Sequence, residues 1–270
     1  DAMLNERMTE LKKELISLIK SERELIENIN LMGTPVESIN ENEIEIQILP
    51  NRSDCLSTQG FLRAFKDFIG KNKNKINYKI NPPEKNYSVT IDSSLTNIRP
   101  FTACAIVKGI KFTDERIKEI IELQEKMHLT LGRKRKKMAI GIYPLEKISL
   151  PIRFEARTPK EIIFIPLEAN KEMNGFEILQ QHPTGREYSF LLEGLDKFPV
   201  FVDSKGKILS MPPIINSHET GKVDLNTKEI FIECSGYDFN LLKKSLIMIV
   251  TSLADMGGKI YSMELKYGNK

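Results

Sequence analysis

Two short stretches hold the residue types best placed to do chemistry. The first runs Phe198-Pro-Val-Phe-Val-Asp-Ser-Lys-Gly-Lys-Ile-Leu-Ser-Met-Pro-Pro-Ile-Ile-Asn-Ser-His-Glu-Thr-Gly221. Ser210 and Asn216 flank its Pro212-Pro213 pair, which removes backbone donors and stiffens the path between them. These two small polar groups either serve a ligand or cap local turns. The second stretch is Phe231-Ile-Glu-Cys-Ser-Gly-Tyr-Asp238, an apolar run interrupted by an acid. An acid buried there is costly unless it is paired or neutralised. On a strand, Glu233 and Ser235 share a face while Cys234 takes the other. Glu233 and Ser235 therefore either line a pocket or face water on a half-exposed strand. A third feature is the run Arg133-Lys-Arg-Lys-Lys137 after a helix end. Cations there suit the helix dipole. The run is either a solvated helix end or a salt-sensitive contact to a phosphate backbone.

Other chemistries lack their signatures. The chain contains no GxxxxGK[ST], GxGxxG, HExxH or GxSxG. His128, His182 and His218 have no second His or Cys at metal-ligand spacing, so no metal site is expected. His128 reads as a core or boundary residue, and His182 and His218 as loop residues capping turns. The cysteines, Cys55, Cys104 and Cys234, are odd in number and far apart, which argues against a disulfide scaffold and for a reducing, cytoplasmic setting. No apolar run reaches the roughly 18 residues of a membrane helix, and the polar N-terminal stretch does not read as a secretory signal. Forty basic residues against 37 acidic ones leave a net charge of +3, which by itself points to no partner.

These residues need elements to hold them. Residues 3–31 read as helical, with Ser21 and Glu24 forming a capping box that starts a second helix. Glu43 to Ile48 alternates as a half-buried strand. Asp54 is the expected N-cap of a helix carrying Phe61, Leu62, Phe65 and Phe68. Lys71 to Lys85, rich in Lys and Asn, reads as a linker, which divides the chain into domains 1–80 and 81–270. Beyond it, strands are expected at 101–112, 138–143, 150–156 and 161–167, and helices at 114–131, 173–181 and 186–193. Val200–Asp203 and Lys207–Met211 read as a hairpin about Ser204-Lys-Gly206. Short strands at 214–217 and 230–235 follow, then a long helix begun at Asp238 and a last strand at Ile260–Leu265. Strands and helices mix without a regular βα period. The expected fold class is α+β, a small N-terminal α/β module followed by a larger mixed-sheet domain with packed helices.

Several ordered fragments carry a resemblance. They are Pro50-Asn-Arg-x-Asp54 with Leu-Ser-x-x-Gly60, Arg99-Pro, Leu123-Gln-Glu-Lys-x-His128, Thr130-Leu-Gly-Arg133, Ala139-Ile-Gly141, His182-Pro-x-Gly-x-x-Tyr188, Leu209-Ser-Met-Pro-Pro-Ile-Ile-Asn216 and Glu233-x-Ser-Gly236. Together, over almost the whole chain, they resemble the beta subunit of phenylalanyl-tRNA synthetase of the archaeal and eukaryotic type, its N-terminal module plus its editing domain. The resemblance implies hydrolysis of tyrosine wrongly attached to tRNA(Phe), within a complex that ligates phenylalanine to that tRNA. It implies as partners tRNA(Phe), the alpha subunit and the remaining beta-subunit modules, and it implies no cofactor for this part, the ATP and magnesium belonging to the full synthetase. By resemblance the substrate-binding residues are Phe201, Ser210, Asn216, Glu233 and Ser235, with no side-chain nucleophile. Three depart from the family pattern, where Leu, Asp and Thr are expected at Phe201, Glu233 and Ser235. The alternatives are a noncatalytic structural or tRNA-binding module with a degenerate pocket, and a freestanding binder of an aromatic amino acid.

Overall fold

The computed structural model describes residues 11–41, 43–72 and 76–268. The chain forms two units. One contains the described residues up to Tyr78 together with Thr113–Met127, and the other contains Lys79–Phe112 and the described residues from His128 onward. The helix that begins at Asp114 thus counts largely with the first unit, where the sequence reading gave it to the second.

In the first unit, residues 11–18 and Glu22–Leu31 are helical. Residues 3–10 of the expected helix lie outside the described residues. The Ser21 hydroxyl caps the second helix by accepting from Glu24 N at 3.2 Å. A short hairpin follows, β1 (Val36–Ile39) against β2 (Ile44–Ile46). The helix Thr58–Phe68 completes the unit, its Phe61, Leu62 and Phe65 packed with Leu15, Leu25, Ile29 and Ile44. Its N-cap is Ser57, not Asp54 as expected: Ser57 accepts from Gly60 N, while the Asp54 carboxylate turns to the Arg52 guanidinium. Local ion pairing outcompeted capping for Asp54, and a hydroxyl nearer the helix took the role.

The second unit is built on two sheets. One has the order β3 (Ile80–Asn81), β14 (Lys259–Ser262), β5 (Phe101–Lys108), β13 (Glu229–Gly236), β6 (Met138–Pro144). The other runs β12 (Ile215–Asn216), β11 (Ile208–Met211), β10 (Phe198–Val202), β7 (Ile152–Arg157), β4 (Ser88–Ile91), β15 (Glu264–Tyr267). A small pair, β8 (Ile163–Phe164) and β9 (Met173–Asn174), stands apart. The inner faces of the two large sheets share one core of Val89, Ile91, Ile106, Phe154, Leu209 and Phe231, among others. The outer face of β5 and β13 is covered by the helix Phe239–Asp255, capped by Asp238 as expected. The outer face of β10 and β11 packs Val200, Val202 and Ile208 against Ile178 and Tyr188 of two short helices, Gly175–Gln181 and Pro183–Tyr188.

Some expectations fail for identifiable reasons. The last strand is two strands: Lys259–Ser262 pairs with β5, and after Met263 the chain crosses to the other sheet, where Glu264–Tyr267 lies parallel to β4. The corner leaves no mark on the sequence, because the alternation of Tyr261, Met263 and Leu265 runs through it unbroken. The expected linker ends in structure, because Ile80 and Asn81 form β3, parallel to β14. Asn81 Nδ2 donates to Ile260 O at 2.9 Å, so a polar residue holds the edge. The run 161–167 gives only a two-residue strand after a 3-10 turn at Pro159–Glu161.

Candidate functional site

Alternation on β13 decides which side chains meet the opposite sheet. Phe231, Glu233 and Ser235 share a face, and Phe231 belongs to the inter-sheet core. Glu233 is opposite Gly141 on β6, and two residues along β6 stands Tyr143 on the same face. Across the gap, β10 and β11 fall out of simple register: Phe201 pairs with Ser210 and Val202 with Ile208, leaving Leu209 as an extra residue. This bulge turns both Leu209 and Ser210 inward, where a regular strand would present only one of them. Ser210 in turn pairs with Asn216.

These elements bring one hydroxyl to a focus. The Tyr143 hydroxyl donates to Ser210 Oγ at 2.8 Å and stands 3.4 Å from Asn216 Oδ1 and 3.3 Å from Glu233 Oε1. Tyr143 is fully buried, Ser210 is 1% exposed and Glu233 2%. A phenol has one proton to donate, so it serves one of the three at a time, and its oxygen can accept from a neighbour that carries a proton. Burial pushes the Glu233 carboxyl up to about 8, against the pull of the Arg99 charge. At neutral pH Glu233 thus keeps its proton and can be that donor. Its second oxygen, Oε2, is buried with no hydrogen-bond partner. Burial and the adjacent Glu233 also push the Tyr143 phenol above its ordinary range.

Gly141 makes this packing possible. A Cβ there would overlap the Tyr143 hydroxyl and the Glu233 carboxyl, so the position admits no side chain. Phe201 forms the neighbouring wall, stacked on Phe154 with ring centroids 4.1 Å apart. Ser235 bridges to a buried arginine: its hydroxyl accepts from Arg99 Nε at 3.0 Å and its carbonyl from Arg99 Nη2, while the same hydroxyl is close enough to Glu233 to oppose the rise in its pKa. Arg99 is 2% exposed, lies 5.7 Å from the Tyr237 ring, and is held below its usual guanidinium range by burial. Of the five residues singled out in the sequence, Ser210, Asn216 and Glu233 meet at one point, Phe201 walls it, and Ser235 holds a buried arginine beside it.

Sequence reasoning missed Tyr143 as a site residue. A signal existed, since a lone hydroxyl inside Met138-Ala-Ile-Gly-Ile-Tyr-Pro144 is the same anomaly that drew attention to Glu233. The basic run also behaves differently from its reading as one uniform patch. Arg133, Lys134 and Arg135 all adopt left-handed backbone, φ 48°, 54° and 63°, a conformation that costs roughly 1–2 kcal/mol per residue. Arg135 N donates to His128 O at 3.1 Å and Lys137 N to Gly132 O at 2.8 Å. The Arg135 guanidinium donates to Ile214 O at 2.8 Å and sits 4.4 Å over the Tyr188 ring. It therefore braces the loop between Ser210 and Asn216, while Arg133, Lys134, Lys136 and Lys137 are exposed.

The remaining titratable groups are structural in placement. His128 is buried and accepts from Ile140 N at 2.9 Å. His182 Nε2 faces Leu167 O at 3.1 Å. Burial pushes the Cys104 and Cys234 thiols up, which removes them as nucleophiles. Among the described residues no group of His, Cys, Asp or Glu gathers as a metal site, and no helix is long and apolar enough to cross a membrane.

No family model matches the sequence. Curated relatives do. The chain is 37% identical over 255 residues to a phenylalanine–tRNA ligase beta subunit of Archaeoglobus fulgidus, covering 94% of this chain and 46% of that protein. It is 43% identical over 217 residues to that of Thermococcus sibiricus, covering 80% of this chain and 38% of the other. The chain thus spans less than half the length of these relatives. Its fold superposes on the crystal structure of an N-terminal fragment of the phenylalanyl-tRNA synthetase beta-subunit from Pyrococcus horikoshii with a TM-score of 0.88 and 34% identity, over 96% of this chain and 75% of that one. A sequence that keeps this identity and this fold over nearly its whole length is a member of the phenylalanine–tRNA ligase beta-subunit family.

Proposed function

We propose that the second unit is an editing hydrolase that removes tyrosine wrongly esterified to tRNA(Phe), working within a synthetase that ligates phenylalanine to that tRNA. The observation that carries this reading is the burial of Glu233 with Ser210 in an otherwise apolar inter-sheet core, with the half-buried Asn216 beside them. Tyrosine differs from phenylalanine by one hydroxyl. An apolar pocket rejects an added hydroxyl poorly, whereas a pocket with a buried polar group strongly rejects the ligand that cannot pair with it. A second site that demands the hydroxyl corrects what the first admits.

In this mechanism Glu233 receives the tyrosine hydroxyl, Phe201 walls the ring, and Ser210 and Asn216 hold the ester and the terminal ribose. A positioned water attacks the ester carbonyl, releasing tyrosine and leaving the ribose hydroxyl free on the tRNA. No side chain here is a ready nucleophile, so orientation supplies the rate. Ser235 acts by fixing Arg99, whose charge lies close enough to oppose the rise in the Glu233 pKa. The exposed members of the basic run, Arg133, Lys134, Lys136 and Lys137, are the proposed contacts to the tRNA backbone. The proposed partners are tRNA(Phe), the alpha subunit and the rest of the beta subunit, in the cytoplasm. ATP and magnesium would serve ligation in the full synthetase. The test is Glu233→Ala: tyrosyl-tRNA deacylation should fall at least tenfold, and an unchanged rate removes the assignment.

A further inference from the structure

The groups assigned to the ligand already surround a phenol that belongs to the protein. Tyr143 Oη is within 3.4 Å of Ser210 Oγ, Asn216 Oδ1 and Glu233 Oε1. The ring cannot drift, because it stacks on Phe231 with centroids 5.6 Å apart and lies in the inter-sheet core. Its hydroxyl lies in space that only a glycine at 141 leaves open. It also meets Ser210, which pairs with the inward-facing Phe201, while the bulge adds Leu209 as a second inward residue. Three elements thus converge to hold one oxygen. What they leave over is Glu233 Oε2, buried and without a hydrogen-bond partner. An unmade hydrogen bond in such a place is costly, so buried polar atoms are rarely left alone without a use.

We propose that Tyr143 is a specificity-determining positioning residue: by engaging Glu233 through Oε1 it leaves Oε2 as the single polar atom offered to a ligand that brings a phenolic hydroxyl into the apolar core. The proposal rests on the editing reading for the identity of that ligand, the tyrosyl end of a charged tRNA. Without the Tyr143 hydroxyl the carboxyl is free to rotate or to turn onto Ser210 or Asn216. Its aim at the ligand is then lost, although the acid itself remains.

The experiment uses the protein with side-chain carboxyl carbons of glutamate and ring carbons of tyrosine labelled for NMR. Glu233→Gln identifies the Glu233 signal and Tyr143→Phe the Tyr143 signal. The probes are p-cresol and toluene, which differ by the hydroxyl alone, and tRNA(Phe) charged with tyrosine or phenylalanine. In the parent, p-cresol should move the Glu233 signal and leave Tyr143 Cζ in place, and toluene should move neither. Tyr143→Phe should weaken p-cresol binding roughly tenfold, the loss of about one hydrogen bond's worth of selectivity. It should lower the ratio of tyrosyl to phenylalanyl kcat/KM by a similar factor, chiefly through the tyrosyl KM. Equal or tighter p-cresol binding by Tyr143→Phe would overturn the proposal, since Tyr143 would then be filling the ligand's place. Movement of the parent's Tyr143 signal on p-cresol binding would overturn it equally, and that measurement needs no folded variant. If the parent hydrolyses neither ester while the p-cresol results stand, the editing reading falls and the role of Tyr143 survives. If tyrosyl selectivity is present and Tyr143→Phe leaves it unaltered, the reverse holds.

Discussion

Replacing Glu233 with glutamine should change how the protein's stability responds to pH. Burial lifts the folded-state carboxyl to about 8 from an ordinary 4.5. Below 4.5 folded and unfolded chains both hold the proton, and Glu233 adds no pH dependence. Between the two values only the folded chain holds it, so folding takes up a proton and stability falls as pH rises. The slope there is about 1.4 kcal/mol per pH unit, and the whole interval amounts to about 5 kcal/mol. Above about 8 the full penalty is present and the slope vanishes. Glu233→Gln preserves size and loses the titration. Urea unfolding midpoints measured on both proteins across this range isolate the residue, because other groups titrate alike in each. Relative to the parent, the glutamine variant should gain roughly 3 to 4 kcal/mol between about pH 5 and about pH 8 and then level off. Parallel curves would overturn this prediction. They would mean that Glu233 is ionised in the fold and that Arg99, not burial, governs it.

Gly141→Ala should cost about 1–3 kcal/mol by forcing a methyl group against the Tyr143 hydroxyl. A thermal midpoint equal to the parent's would show that the strand yields freely. Phe201→Leu should lose about 1 kcal/mol or more as the stack on Phe154 is broken, again read as a lowered midpoint. Arg133→Ala with Lys134→Ala should leave stability within about 0.5 kcal/mol and reduce the slope of tRNA binding against salt by about 2. Arg135→Ala should instead lower stability by about 1–2 kcal/mol, because its guanidinium holds Ile214 O and the Tyr188 ring. Equal stability of all three proteins would remove the structural role given to Arg135.

What the sequence made legible follows from the range of the interactions involved. Alternation along β13 placed Glu233 and Ser235 on one face. Apolar surroundings marked the acid as anomalous, and Ser204-Lys-Gly206 announced the hairpin that carries Ser210. The caps at Ser21 and Asp238 were equally local. Tyr143 was not recovered because its partners lie 67 and 90 residues away on other strands, a proximity that only the pairing of two sheets creates. The bulge at Leu209 also escaped, since one inserted residue leaves the apolar pattern intact while reversing which side chain points inward. Ser235 was paired with Glu233 by spacing, but its second partner, the buried Arg99, lies 136 residues away and no alternation rule contains it. The break at Met263 hid for a related reason: the alternation of Tyr261, Met263 and Leu265 continues through it, so the two strands read as one.

If the second unit edits as proposed, the protein releases tyrosine and spares phenylalanine. The most direct test is to incubate the protein with tRNA(Phe) charged with each amino acid and follow release of both. Tyrosine should be released at least tenfold faster than phenylalanine, and Glu233→Ala should bring the two rates together. Equal rates from the parent, or release of neither, would contradict an editing role.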